Sequence, residues 1–546
     1  MNTLRRISPD AAIIVAITLA IGLIAQQWAG LDTPDSGFYF SLANFGSEIT
    51  DRAPVDSYYW TRLGVIAPTY AITQLFGPWV GYFLWRMALL AIIVTAFYIT
   101  AKKFNASRAQ ATLLTGTLAA STVILSYLGN PYVTATALAA IAIATCSALF
   151  AGKVPAAISG ASIGWLAMIN PYAALLGGSI WLAVTIQRNL ATKSRDRIKE
   201  LITELITSAI SVIVIFTLFL GIGTQLFPSM NWFTTYIEWN SKIDYADFAS
   251  TAPVWLADPS LLIPVAMMIV IVIQWWRLKT PATQAALTIA LTTLGVTISF
   301  LPAMAGITLE ATIYTSMLWI PLSVALILSL SNQIPIKIWV AVLAVAIVVA
   351  TGFSQIDLPG PLAIILALTA TALLIIAVNT KTAVAAFVLF LVIGQLVQNS
   401  RDQIGLYCSS PFAWAYQDNP VKLQLANSLK AQQWLIENTS PQDQILTYVD
   451  GDWLNGDRDL YVAASLQFWG ENRISVTPDL RPEDLKRISD LKPTVFALYG
   501  PDKGRLQQYA NELPNSNQLT PLDCLDLDWP TLQEGAMICL TNTGTF

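Results

Sequence analysis

Apolar residues in this chain fall in long, nearly unbroken runs, without the three-and-four spacing of a surface helix or the alternation of a half-buried strand. The first run covers 11–29, directly after Arg5 and Arg6, and roughly 20 apolar residues suffice for a helix to cross a bilayer. Runs of the same kind predict helices over 80–101, 109–127, 132–151, 154–169, 172–187, 201–221, 261–276, 282–301, 311–330, 336–353, 361–378 and 383–397, thirteen spans in all. The first is too long for a typical signal-peptide core and lacks a small-x-small cleavage site, so it is expected to persist as a helix. The stretch 58–77, YYWTRLGVIAPTYAITQLFG, is different, because Thr61, Arg62, Thr69, Thr73 and Gln74 interrupt its apolar surface. It predicts a helix along the membrane interface, with Tyr and Trp at headgroup depth.

From residue 398 the pattern changes to that of a soluble domain. Helical spacing over 427–438, 460–470, 484–491 and 504–513 alternates with strand-like runs at 444–450, 493–500 and 535–542, the order expected of a small α/β layer domain. The fold class predicted is a polytopic α-helical membrane protein of about thirteen transmembrane helices with a small C-terminal extracytoplasmic α/β domain. The division falls at 1–398, with a first outer loop at 30–79, and 399–546.

Charge orients this layout. With thirteen spans and the N-terminus inside, the inner connections carry Lys102, Lys103, Arg108, Lys153, Arg188, Lys193, Arg195, Arg197, Lys199, Arg277, Lys279, Lys337 and Lys381. The outer ones within the first 400 residues carry only Arg52, Arg62, Lys242 and Arg86, yet hold most of the acids. The expected location is the plasma (inner) membrane, multi-pass, with the first loop and the C-terminal domain facing away from the cytoplasm.

Composition narrows the chemistry. The 546 residues are 55% hydrophobic and 12% charged, with a mean hydropathy of +0.57 and a net charge of -4, and the scattered basic residues argue against nucleic acid as a partner. Histidine is absent, which removes the usual general base near neutral pH and the commonest metal ligand. Acid–base work must fall to carboxylates, Lys or Tyr. Cys146 lies in an apolar run; Cys408, Cys524 and Cys539 lie in the tail without metal-ligand spacing, which suggests ordinary thiols and at most one disulfide of open pairing. No cofactor is required by the sequence, no metal ligands are assigned, and a divalent metal remains an open alternative. The Asn-Pro-Tyr turns at 130–132 and 170–172 fit helix starts, with Asn as cap.

Candidate chemistry concentrates in the first outer loop, LDTPDSGFYFSLANFGSEITDRAPVDSYYW, which holds Asp32, Asp35, Glu48, Asp51 and Asp56. The order is a first span, a loop with Asp-x-x-x-Tyr from Asp35 to Tyr39, the short helix SLANFGSEIT, a Tyr/Trp-rich helix ending LFG, and a second span with Arg86 near its start. Over about the first 100 residues this resembles the GT-C superfamily of polyprenyl-phosphate-sugar-dependent glycosyltransferases. That group includes protein mannosyltransferases, aminoarabinose transferases and mycobacterial arabinosyl- and mannosyltransferases.

The resemblance implies a transferase that passes a sugar from a polyprenyl-phosphate donor to an envelope glycan, lipid or protein on the extracytoplasmic side. It implies Asp35 as general base on the acceptor hydroxyl, with Asp32 as the alternative, and Ser36 stands where the family usually has Glu. Cations are needed to neutralise the departing phosphate, and the candidates are Arg62, Arg86, Arg52 and Lys242, with Arg62 or Arg86 favoured. An inverting displacement with one base is the economical mechanism; retention requires a second carboxylate as nucleophile. Tyr39, Tyr58, Tyr59, Trp60 and Glu238 are candidate substrate contacts. Against these stand plainer readings: Glu48, Asp51 and Asp56 as solvated loop acids, Arg86 snorkelling to the interface, and the aromatics at 58–60, 232, 236 and 239 as an interfacial belt. The competing functions are a transporter or flippase for a lipid-linked or envelope precursor, and a non-catalytic subunit that keeps the fold.

Overall fold

A computed structural model describes residues 8–24, 39, 43, 61–121, 124, 127, 128, 133–191, 196–226, 231–242, 262–304, 308–330, 431, 434, 435, 437–440, 443–449, 473–477, 493–513, 516–527 and 536–542. The helices are α1 Pro9–Ile24, α2 Leu63–Phe76, α3 Pro78–Lys103, α4 Arg108–Ala119, α5 Val133–Ala148, α6 Lys153–Ala167, α7 Pro171–Ala191, α8 Arg197–Leu226, α9 Trp232–Lys242, α10 Leu262–Leu278, α11 Pro281–Met304, α12 Thr308–Leu330 and, in the tail, α13 Lys503–Glu512. Each predicted span up to residue 330 coincides with one of these helices. The predicted spans 336–353, 361–378 and 383–397 lie outside the described residues. Val80–Lys103, Arg197–Leu226 and Pro281–Ser299 are by themselves long and apolar enough to cross a membrane, and shorter apolar helices pack among them.

The bundle forms around α5, VTATALAAIAIATCSA, in which every residue but Ile143 is buried. Its small side chains let neighbouring helices approach closely, which replaces the hydrophobic drive that lipid cannot supply between apolar helices. Hydroxyls join the helices: Ser162 donates to the Ala140 carbonyl at 2.6 Å, and Ser147 pairs with Ser159 at 2.6 Å. On the other face of α6, Gly160 and Gly164 stand one turn apart against α8. A Cβ at Gly160 would lie 2.2 Å from the Ser208 carbonyl oxygen, and one at Gly164 would lie 2.7 Å from that of Val212. The rest of α8 turns a row of aliphatics outward, including Ile202, Ile206, Ile210 and Ile213, as a lipid-facing helix should.

Polar links tie the two ends of the bundle differently. At the end carrying the basic connections, Asp10 of α1 accepts from Arg108 at 2.8 Å and from the Tyr98 hydroxyl at 2.9 Å. Nearby, buried Glu204 accepts from Arg188 at 2.5 Å, from the Gly152 amide at 2.6 Å and from Asn189 at 3.2 Å. Arg188 also donates to the Ala148 and Phe150 carbonyls, so α5, α6, α7 and α8 are clasped at one point.

In the tail, strands β1 Gln444–Val449, β2 Arg473–Thr477, β3 Val495–Gly500, β4 Asp523–Leu527 and β5 Ala536–Asn542 form one sheet in the order β2-β1-β3-β5-β4. β2, β1 and β3 run parallel, and β5 is antiparallel to both of its neighbours, β3 and β4. β3, VFALYG, is buried on both faces: Val495, Ala497 and Tyr499 pack with Ala431 and Leu435, while Phe496 and Leu498 pack with Leu506 and Ala510 of α13. Asp502 caps α13 by accepting from the Arg505 amide at 2.9 Å. Cys524 and Cys539, opposite each other on β4 and β5, form a disulfide. The α/β layers are as expected, with β2 and β4 added. The predicted helices at 460–470 and 484–491, and Cys408, lie outside the described residues.

Candidate active site

Opposite the basic end, the start of α2 is built into the bundle and does not lie on its surface. Leu63, Gly64, Val65, Ile66 and Ala67 are all buried, whereas Leu75 and Phe76 are exposed. The helix expected over 58–77 is described as the 14 residues Leu63–Phe76, which rise only about 21 Å. Its first half, however, packs against α3, α8 and the last turn of α6. The reason is local: the apolar run begins at Leu63, and Gly64 permits an approach that a side chain would block. A Cβ there would meet Ile169 at 2.6 Å and the Met168 carbonyl at 3.0 Å.

Gly64 is held by both of its peptide groups. Its amide donates to the Met168 carbonyl at 2.9 Å, and its carbonyl accepts from the Trp165 indole at 2.8 Å. The second bond has a cause written in the sequence. Pro68, four residues on inside α2, has no N–H to give to the Gly64 carbonyl, so an outside donor takes its place. Trp165 in turn lies against Trp85 of α3, ring centroids 6.3 Å apart.

This arrangement organises two cations. Arg62, the residue before α2, is 6% exposed, and Arg86, next to Trp85, is 5% exposed, close to Tyr82 one turn earlier. Arg86 therefore does not snorkel outward, as the plainer reading allowed; it is enclosed by the bundle. A buried guanidinium stays charged and requires an anionic or hydrogen-bonding environment.

α9 closes the same corner. Its Trp232 is buried and its Tyr236 half-buried, so neither belongs to an interfacial belt. Trp232 and Leu63 both press on Gly223 of α8, where an added Cβ would lie within 3.1 Å of each. Tyr236 packs edge-on against Phe216 at 5.4 Å and donates its hydroxyl to the Ala167 carbonyl at 2.8 Å. Burial pushes its phenol above the ordinary tyrosine range while the Arg62 charge nearby pulls the other way, so the phenol remains a donor at neutral pH. The turn into α7 completes the wall: Asn170 caps the helix by accepting from the Tyr172 amide at 2.9 Å, as expected, and the Tyr172 hydroxyl pairs with Thr297 of α11 at 3.3 Å.

The first loop reaches this end through two described residues. Tyr39, four residues after Asp35, is 2% exposed in the main core, and the carbonyl of buried Ala43 accepts from Thr73 of α2 at 2.8 Å. Asp32, Asp35, Arg52, Tyr58, Tyr59 and Trp60 lie outside the described residues, as do Glu48, Asp51, Asp56 and the 130–132 turn. Lys242 is the last residue of α9. Glu238 is exposed, two residues beyond Tyr236 on α9. Among the described residues no three His, Cys, Asp or Glu side chains gather as a metal site. The sequence reading missed Trp165, Gly64 and Trp85 as supports. The signal available was Pro68, which leaves a carbonyl four residues earlier in need of a donor.

No protein-family model and no curated protein matches the sequence. Solved structures do match its fold. The chain aligns with the crystal structure of ArnT from Cupriavidus metallidurans in the apo state over 97% of both chains, at 11% identity and a TM-score of 0.56. It aligns with that of ArnT from the same organism bound to undecaprenyl phosphate over 97% of both chains, at 12% identity and a TM-score of 0.55. The similarity extends well past the first 100 residues that carry the sequence resemblance, and the fold of this polytopic chain is ArnT-like.

Proposed function

We propose that the protein is an integral membrane glycosyltransferase that takes a sugar from a polyprenyl-phosphate donor and passes it to an envelope glycan, lipid or protein. The observation that carries this reading is the fold, shared along almost the whole chain with a transferase seen bound to undecaprenyl phosphate. The enclosed cations Arg62 and Arg86 support it, because a lipid monophosphate leaving group needs neutralised charge as the glycosidic bond breaks. Asp35 is the proposed base, with Asp32 the alternative. It accepts the acceptor's proton late in an inverting displacement, since a carboxylate is too weak to deprotonate a free hydroxyl beforehand. The buried anchor at Tyr39, four residues on, supports the choice.

The transfer is proposed for the extracytoplasmic face, with the unit after residue 398 on the same side. Two features favour this placement: the basic connections at the opposite end, and the Cys524–Cys539 disulfide, a bond that persists outside reducing compartments.

The test compares envelope glycans and polyprenyl-phosphate sugars by mass spectrometry in cells lacking the protein, complemented with wild type or Asp35→Asn. Loss of one linkage and accumulation of one lipid-linked sugar, corrected only by wild type, is the expected result. Full complementation by Asp35→Asn removes Asp35 from the mechanism, and an unchanged glycan and lipid profile in the deletion removes the transferase reading.

A further inference from the structure

Threonine hydroxyls inside a helical bundle commonly bond back to their own helix. Thr69 donates to the Val65 carbonyl at 2.7 Å, Thr100 to Ala96 at 2.8 Å and Thr293 to Ile289 at 2.7 Å, each four residues back. Thr73, one turn after Thr69 on α2, does otherwise. Its shorter bond, 2.8 Å, leaves the helix for the Ala43 carbonyl of the first loop, thirty residues earlier, and a longer one of 3.2 Å reaches Tyr70. Thr73 is 3% exposed and Ala43 1%, so the bond is made out of reach of water, where a carbonyl needs a protein donor.

The turn after α2 holds Thr73 in place. Gly77, at φ +79°, reverses the chain, and Gly81 of α3 comes so close to α2 that a Cβ there would lie 2.5 Å from the Thr73 Cα. On the loop side, Tyr39 and Ala43 are helical, stand four residues apart and are both buried, so one face of that segment rests on the bundle. The Thr73 hydroxyl thus joins a closely packed helix pair to the loop whose sequence carries the candidate bases.

We propose that Thr73 is a positioning residue that docks the first loop on α2 and thereby sets the loop's candidate base against the bundle. The assignment rests on the transferase reading above, with Asp35 or Asp32 as that base. It gives a task to a threonine that otherwise only interrupts the apolar surface of its helix.

The experiment uses the full chain, in lipid nanodiscs for hydrogen exchange and melting, and in the deletion cells for glycans and lipid-linked sugars. Thr73→Val keeps the β-branched shape and deletes the hydroxyl. Amide exchange around Tyr39 and Ala43 is expected to rise about 3- to 10-fold, the effect of one hydrogen bond, with the melting temperature unchanged. In cells, transfer is expected to fall about 10-fold or more and the lipid-linked sugar to accumulate, because a base displaced by about 1 Å loses much of its effect. Thr73→Ser keeps the donor and is expected to restore both exchange and transfer.

Full transfer by Thr73→Val, or unchanged exchange near Ala43, overturns the assignment and leaves the transferase reading standing. A Thr73→Val protein that melts earlier or fails to accumulate, or a Thr73→Ser protein as impaired as Thr73→Val, makes Thr73 a packing residue and overturns it as well. Identical glycans and lipids in wild-type and deletion cells overturn the transferase reading itself, and this assignment falls with it.

Discussion

The sharpest consequence at the scale of single residues concerns the bond that Pro68 makes necessary. Trp165→Phe removes the indole donor to the Gly64 carbonyl in a part-buried setting and is expected to destabilise the protein by about 1–3 kcal/mol. Pro68→Ala supplies an N–H at the i+4 position and should restore roughly 1 kcal/mol in the Trp165→Phe background, while doing little by itself. Thermal unfolding of the four proteins in detergent measures the coupling, and an absent rescue means that the indole acts there by packing alone. The same scale marks a limit of sequence reading. Arg62 and Arg86 were legible as candidate cations because the stretches around them carry so few, but their burial was not, since it depends on how distant helices pack.

Elements of this fold are held together by pairs of polar groups at their ends, and these set the next expectations. Glu204→Gln leaves the Arg188 guanidinium among carbonyls without its carboxylate. Breaking a buried pair in this way costs about 3–5 kcal/mol, with the lower end expected here because Arg188 is partly exposed. Arg188→Met with Glu204→Leu should be milder than Glu204→Gln alone, as read from melting temperatures. In the sheet, the disulfide closes a separation of 15 residues between two adjacent strands, which corresponds to about 3 kcal/mol in a chain-entropy treatment. Cys524→Ser or reduction is therefore expected to loosen β4, the edge strand, first. Hydrogen exchange should rise at 523–527 before it rises in β3, which is covered on both faces.

The strands show why some elements were readable and others were not. β3 and β5 carry unbroken apolar runs and β1 one broken only by Thr447, whereas β2, RISVT, and β4, DCLDL, are short, mixed and peripheral. An edge position asks little of a strand's composition, so its sequence need not announce it. The α6–α8 contact was legible in principle, as Gly160-x-x-x-Gly164 inside an apolar run. The helix that would face it was not, because small-residue spacing names a surface and not its partner.

For the whole molecule the clearest expectation is orientation. Reporter fusions after residue 191 should be active only as cytoplasmic reporters such as green fluorescent protein, and fusions after residue 242 only as extracytoplasmic ones such as alkaline phosphatase. The inverse pattern would turn the bundle over and carry the candidate site to the cytoplasm.

The sequence by itself determined the membrane character, the order and approximate limits of the helices through residue 330, the polarity of the two ends, and the α/β character of the tail. These follow from hydropathy, charge and period, which act locally along the chain. Tertiary structure alone decided that α2 enters the bundle, that Tyr236 and Trp232 turn inward, that Arg62 and Arg86 are enclosed, and that the end of α6 anchors both α2 and α9. Each of these depends on which carbonyls and cavities distant helices bring together, and no local pattern encodes that pairing.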